Sequence, residues 1–193
     1  MAANLLLPDY IGLVFAKSRR RVTIDQAMEL KSSLDASVGA VGVFVNDDLQ
    51  SVAAAAQLCA LAAVQLHGDE GGGYIARLRA MLPAGCVIWK AVRVRSAADV
   101  VKAQLIDADC LLFDAFSADA YGGTGESFDW NVLRGVKMRR PFFIAGGITA
   151  ENAAAAIDFA RPAGIDASSS VETDGFKDFD KMKRLIDAVR NAR

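Results

Sequence analysis

Seven short apolar runs, rich in β-branched residues, punctuate the chain at residues 10–15, 40–45, 63–66, 87–92, 110–113, 142–145 and 164–167. Between them, apolar positions recur at helical spacing over 24–34, 49–61, 73–82, 97–106, 128–136, 151–159 and 176–189. The runs are nearly continuous rather than alternating. That pattern belongs to parallel strands covered by helices on one face and packed on the other. Strand followed by helix, about seven times over, predicts an α/β fold. Capping residues mark helix starts: Thr23 before Ile24, the Asn46-Asp47-Asp48 stretch before Leu49, and Thr149 before Ala150.

The 193 residues give about 28 per repeat, against about 31 in an eight-fold barrel of ~250 residues. A compact (β/α)8 TIM-barrel type, here with about seven βα units, is the expected architecture. A doubly wound open sheet would alternate in the same way, but no GxGxxG follows the first strand. The glycines cluster after the later strands, where barrels place phosphate sites. Nothing along 1–193 reads as a linker, so one barrel domain is expected.

Composition narrows the function classes. With 22 basic and 23 acidic residues the net charge is −1, which gives no global preference for nucleic acid or acidic membranes. Three cysteines, Cys59, Cys86 and Cys110, form neither a disulfide framework nor a CxxC pair, and a reducing cytoplasm is the natural setting. The apolar run 5–16 is interrupted by Pro8 and Asp9 and falls short of the roughly 20 residues that span a bilayer. No membrane role and no nucleic acid are expected.

Candidate chemistry sits at strand ends. Asp114 closes the run Cys110-Leu111-Leu112-Phe113 and is followed by the glycine loop Tyr121-Gly122-Gly123-Thr124-Gly125, a carboxylate beside a loop that suits acid–base work on a small molecule. Gly146 and Gly147 follow the next strand and lead to Thr149; Ser168, Ser169 and Ser170 follow the last. Glycines let backbone N–H groups approach an anion closely, so these two turns form a plausible phosphate cradle, though each alone could be a simple tight turn. Alternation puts Gln65 and His67 on one side of their strand and Leu66 on the other. The chain's only histidine thus points where a substrate could lie, or serves as a hydrogen-bonded structural residue. Lys90 ends the following strand with the same two readings. Lys17-Ser18-Arg19-Arg20-Arg21 follows the first strand, and its guanidinium groups suit carboxylate or phosphate, unless the loop is merely solvated.

These motifs stand in a specific order: Val41-Gly42-Val43-Phe44-Val45-Asn46, Val64-Gln65-Leu66-His67-Gly68-Asp69-Glu70, Gly122-Gly123-Thr124-Gly125 with Phe128-Asp129-Trp130, Ala145-Gly146-Gly147-Ile148, and Asp166-Ala167-Ser168-Ser169-Ser170-Val171-Glu172. In that order the chain resembles the phosphoribosylanthranilate isomerase family over essentially its whole length. The resemblance implies a small (β/α)8 barrel that converts N-(5'-phosphoribosyl)anthranilate to 1-(o-carboxyphenylamino)-1-deoxyribulose 5-phosphate. This is an Amadori rearrangement, the third step of tryptophan synthesis from chorismate. It implies no metal and no organic cofactor. Asp114 falls on the family's general acid and Arg20 on the arginine that holds the anthranilate carboxylate. The last two loops, with Gly146, Gly147, Ser168, Ser169 and Ser170, hold phosphate; Gln65, His67 and Gly123 complete the substrate-binding set. Indole-glycerol-phosphate synthase would carry an N-terminal helical extension and the histidine-pathway isomerase two similar halves with paired aspartates, and neither pattern is present.

The departures matter too. The family's general base is a cysteine at the end of its first strand, in a Lys-Ile-Cys-Gly-like segment that these residues do not contain. Residues 8–20 look like the family's second strand and the loop after it, and 1–7 like the tail of its first helix. The expectation is a barrel with strand one missing and with little or no turnover, or a start that is internal by some 30 residues, about one barrel unit. Cys110 begins the strand that Asp114 ends, so it lies about 13 Å from it; Cys59 and Cys86 are also at wrong ends. Glu126 and Ser170 stand where a lysine or neutral polar residue and a glycine are more usual. Seven strands leave open edges, so a monomer or a homodimer formed through those edges is expected. A non-catalytic phosphate-binding or oligomerising barrel remnant is the alternative reading.

Overall fold

The computed structural model describes residues 2–115 and 129–192. The helix α1 (Ala2–Leu6) opens the chain, followed by β1 (Tyr10–Val14), α2 (Ile24–Ser32), β2 (Gly39–Phe44), α3 (Leu49–Leu58), β3 (Ala63–Leu66), α4 (Gly72–Arg79), β4 (Val87–Val94), α5 (Ala97–Ala103) and β5 (Cys110–Ala115). After it come β6 (Phe142–Ile144), α6 (Ala153–Ala160), β7 (Gly164–Ile165), a hairpin of β8 (Glu172–Thr173) and β9 (Phe176–Lys177), and α7 (Phe179–Asn191). The strand order of the main sheet, β1 to β7, is the chain order. This is an α/β fold of the (β/α)-barrel type. The contacts divide the chain into two compact units: Met1–Lys90 with Ile106–Asp109, and Ala91–Leu105 with Cys110–Arg193.

In the first unit, β1, β2, β3 and the start of β4 are parallel, with Val14 opposite Val43, Val43 opposite Gln65, and Leu66 opposite Lys90. The strands are mostly apolar because helices cover them: Leu13, Phe44, Val64, Leu66 and Ile88 pack with Val52, Ala55 and Ala56 of α3 and Ile75 and Leu78 of α4. Helix starts follow the sequence signals. Thr23 and Gln26 form a reciprocal capping box on α2, and Asp48 accepts the Ser51 amide at the start of α3. The lower end of β4 is pinned by Asp109, whose carboxylate takes the Ile88 amide at 2.7 Å and the Arg79 guanidinium at 2.8 Å.

In the second unit, β5, β6 and β7 are parallel, with Phe113 opposite Ile144 and Ile144 opposite Ile165. Three expectations change here. Of the stretch expected to be helical over 128–136, the described residues from 129 on form only a four-residue 3-10 turn, Trp130–Leu133, because Gly135 reverses the chain at φ 75° two residues after it. Residues 172–177 make a hairpin, so 176 and 177 do not open the last helix. Its tip, Asp174-Gly175, has φ 52° and 85°, the conformation of a tight two-residue hairpin turn, and α7 then starts at Phe179 with Asp178 as its cap. Thr149 does not cap α6 directly; the helix begins at Ala153, with Asn152 in the cap position.

Candidate functional site

In the second unit, Asp114 is 5% exposed at the end of β5. The ladder sets its height: the Ala145 amide donates to the Phe113 carbonyl at 2.8 Å, and the Asp166 amide to the Ile144 carbonyl at 2.9 Å. Asp114, Ala145 and Asp166 therefore leave three adjacent strands at the same level. Gly146 and Gly147 come next, at φ 76° and 62°, where a Cβ would clash with the backbone. Asn152 holds this turn in shape, accepting the Thr149 amide at 2.9 Å and donating to the Gly147 carbonyl at 2.8 Å.

The loop after β7 is tied from the hairpin. Lys177 donates to the Ser168 carbonyl at 2.8 Å and pairs with buried Glu172 at 3.1 Å, while Lys181 donates to the Glu172 carbonyl at 2.7 Å. Ser169 and Ser170 lie in a short 3-10 turn, Ser169–Val171. The Ser170 hydroxyl oxygen is buried with no hydrogen-bond partner. A buried hydroxyl without a partner is costly and marks a place where a polar ligand atom would be welcome. Gly123 and the rest of its loop lie outside the described residues.

In the first unit, Arg20 is half-buried just after β1, in a turn closed by its own amide on the Ser18 hydroxyl at 3.1 Å and by the Val22 amide on the Val14 carbonyl at 2.8 Å. Gln65 and His67 do share a side of β3: the Gln65 amide nitrogen lies 2.9 Å from His67 Nδ1. An amide NH2 can only donate, so in this orientation Nδ1 accepts and the ring proton sits on Nε2. Leu66 points the other way and is fully buried.

Lys90 is buried too. Its ammonium donates to the carbonyls of Leu66 and Gly68 at 3.1 and 2.7 Å and to Glu70 at 3.2 Å. Glu70 also accepts the amides of Asn46 and Gly68 at 2.8 and 3.0 Å. Asn46 sits at φ 55°, a region asparagine tolerates, and its side-chain oxygen accepts the Asp69 amide at 2.8 Å. Gly68 is required here, since a Cβ would come within 2.9 Å of the Asn46 nitrogen. Tyr74 donates to the Asp47 carbonyl at 2.9 Å; burial, and then the nearby Glu70 charge, push its phenol up to about 12. Neither Glu70 nor Asn46 is marked out by sequence spacing. The Leu66–Lys90 register is the signal that could have drawn Lys90 to the 66–70 loop.

The cysteines are poor bases. Burial raises the Cys59 thiol, and burial with the Asp109 charge lifts Cys86 to about 11, so both are protonated at neutral pH. Cys110, at the opening of β5, donates to the Leu111 carbonyl at 3.5 Å. Among the described residues no group of three or more His, Cys, Asp or Glu is placed to hold a metal ion, and no helix is long and apolar enough to cross a membrane.

Residues 3–188 match the family described as N-(5'phosphoribosyl)anthranilate (PRA) isomerase. The chain belongs to this family. The N-(5'-phosphoribosyl)anthranilate isomerase of Caldanaerobacter subterraneus subsp. tengcongensis is 44% identical over 188 residues, a match that covers 97% of this chain and 90% of that protein. The phosphoribosyl anthranilate isomerase structure from Thermus thermophilus superposes with a TM-score of 0.86 at 26% identity, covering 100% of this chain and 92% of the other. A second similar structure, at 31% identity and TM-score 0.82 over 95% of this chain and 88% of its own, is a phosphoribosyl anthranilate isomerase in complex with reduced 1-(o-carboxyphenylamino)-1-deoxyribulose 5-phosphate.

Proposed function

We propose that this chain isomerises N-(5'-phosphoribosyl)anthranilate in tryptophan synthesis, with Asp114 as the general acid. Opening the ribose requires a proton on the ring oxygen, and Asp114 supplies it as the C–O bond breaks and an iminium forms. Loss of a proton from the neighbouring carbon then gives an enolamine, which rearranges to the amino-ketose. Gly146, Gly147, Ser168, Ser169 and Ser170 hold the phosphate, together with Gly123. Arg20 anchors the anthranilate carboxylate, and Gln65 and His67 line the substrate. The observation that carries this reading is the buried carboxylate of Asp114 leaving β5 level with Ala145, directly before two glycines at positive φ.

Neither Cys59 nor Cys86 suits the role of the base, since burial holds both as thiols. Assaying amino-ketose formation by this chain and by its Asp114→Asn variant tests the reading; a variant that works normally would remove the acid assignment. Binding of inorganic phosphate with no turnover would instead favour a non-catalytic phosphate-binding module. A cytoplasmic monomer, or a homodimer joined at a sheet edge, completes the reading, and light scattering distinguishes the two.

A further inference from the structure

Two opposite charges are buried side by side in the first unit, with side chains only 7% and 1% exposed, and the isomerisation gives neither a chemical task. Burying an ion pair is weak evidence for stability, since well-packed apolar residues often do as well. What the pair touches is more informative. The three donors of the Lys90 ammonium are all engaged, two of them on the carbonyls of Leu66 and Gly68, the residues on either side of His67. Glu70 closes the figure by taking the amides of Gly68 and of Asn46, so one carboxylate spans the exits of β3 and β2. The backbone of His67 is thus clamped both before and after, and its ring is held by Gln65 at 2.9 Å.

We propose that the Glu70–Lys90 pair is a positioning device for His67, holding the exit of β3 so that the imidazole is presented to the anthranilate-bearing substrate in one orientation. Neither Glu70 nor Lys90 touches substrate in this arrangement; both act through His67. The effect on binding rests on the proposed reading of His67 as a substrate contact, whereas the clamp itself does not.

His67 is the only histidine of the chain, so its ring gives a single, unambiguous NMR signal. The double variant Glu70→Gln/Lys90→Met removes both charges at nearly equal volume and leaves neither charge unpaired. The clamp predicts that its His67 ring resonances shift and broaden relative to the parent. It also predicts that the dissociation constant for reduced 1-(o-carboxyphenylamino)-1-deoxyribulose 5-phosphate rises roughly tenfold, on a scale where a 1 Å misplacement costs about 10²-fold. An unchanged His67 signal in the folded double variant overturns the clamp, whatever the affinity does. His67→Asn that leaves that dissociation constant unchanged decides against the reading of His67 as a contact and not against the clamp, which the NMR signal settles alone. If the double variant does not fold, the parent decides: Asn46 and Gly68 amides protected about 100-fold or more against hydrogen exchange support the clamp, and exchange at unstructured-peptide rates overturns it.

Discussion

The strand exits of the two units are fixed in different ways. In the first, the loops after β2 and β3 are bound to one another through buried side-chain charge, Glu70 and Lys90. In the second, the loops after β6 and β7 are shaped by backbone: two left-handed glycines, the Asn152 bracket, and a 3-10 turn whose Ser170 hydroxyl is buried without a partner. A loop tied down by buried charge can orient a side chain. A turn whose buried hydroxyl lacks a partner can receive a charged ligand. The contrast matches the roles proposed for them, with a presented ring on one unit and a phosphate cradle on the other.

The largest effect that would sharpen this contrast is at Asp114. Asp114→Asn keeps size and polarity but removes the proton donor, and kcat should fall about 10²–10⁴-fold with the fold intact by circular dichroism. Next, Lys90→Met alone leaves Glu70 as a buried, unpaired charge, and urea unfolding should show a loss of about 3–5 kcal/mol. A loss below about 1 kcal/mol would mean that the first unit does not depend on charge as described. Gly147→Ala should cost about 1–2 kcal/mol from its positive φ, with a weaker affinity for inorganic phosphate measured by calorimetry. If stability falls and phosphate affinity does not, the backbone reading of the second unit fails. Smallest, Thr23→Ala should lose about 1 kcal/mol of stability by breaking the α2 capping box, with no change in substrate affinity.

Most of this was written in local pattern. Continuous apolar runs predicted all seven strands of the main sheet to within two residues at each end, because a strand buried on both faces leaves little room for polar residues. Thr23 and Asp48 announced α2 and α3 because caps act within one turn. The failures have separate causes. The hairpin Glu172–Lys177 is two residues a side, too short for periodicity to register, although Asp174-Gly175 was a readable turn signal. The 3-10 turn Trp130–Leu133 carries apolar residues at helical spacing, but Gly135 ends it before a helical turn can propagate. In the candidate site, the positions of Asp114, Gly146 and Gly147 were legible because strand exits are visible. Glu70 was not: its partners Asn46 and Lys90 are 24 and 20 residues away, and only parallel register brings them together.

The buried thiols described earlier give the folded chain an unintended clock. Cys59 is 1% and Cys110 5% exposed, and Cys86 is held as a thiol by burial and by Asp109. An alkylating reagent such as iodoacetamide attacks only thiolate it can reach, so in the native protein all three should label slowly. At Cys59 and Cys110, which are buried, each labelling event then records an opening of the structure around that cysteine. Cys59 times the first unit and Cys110 the second, so mass spectrometry of the modified peptides would show whether the two open together or one before the other.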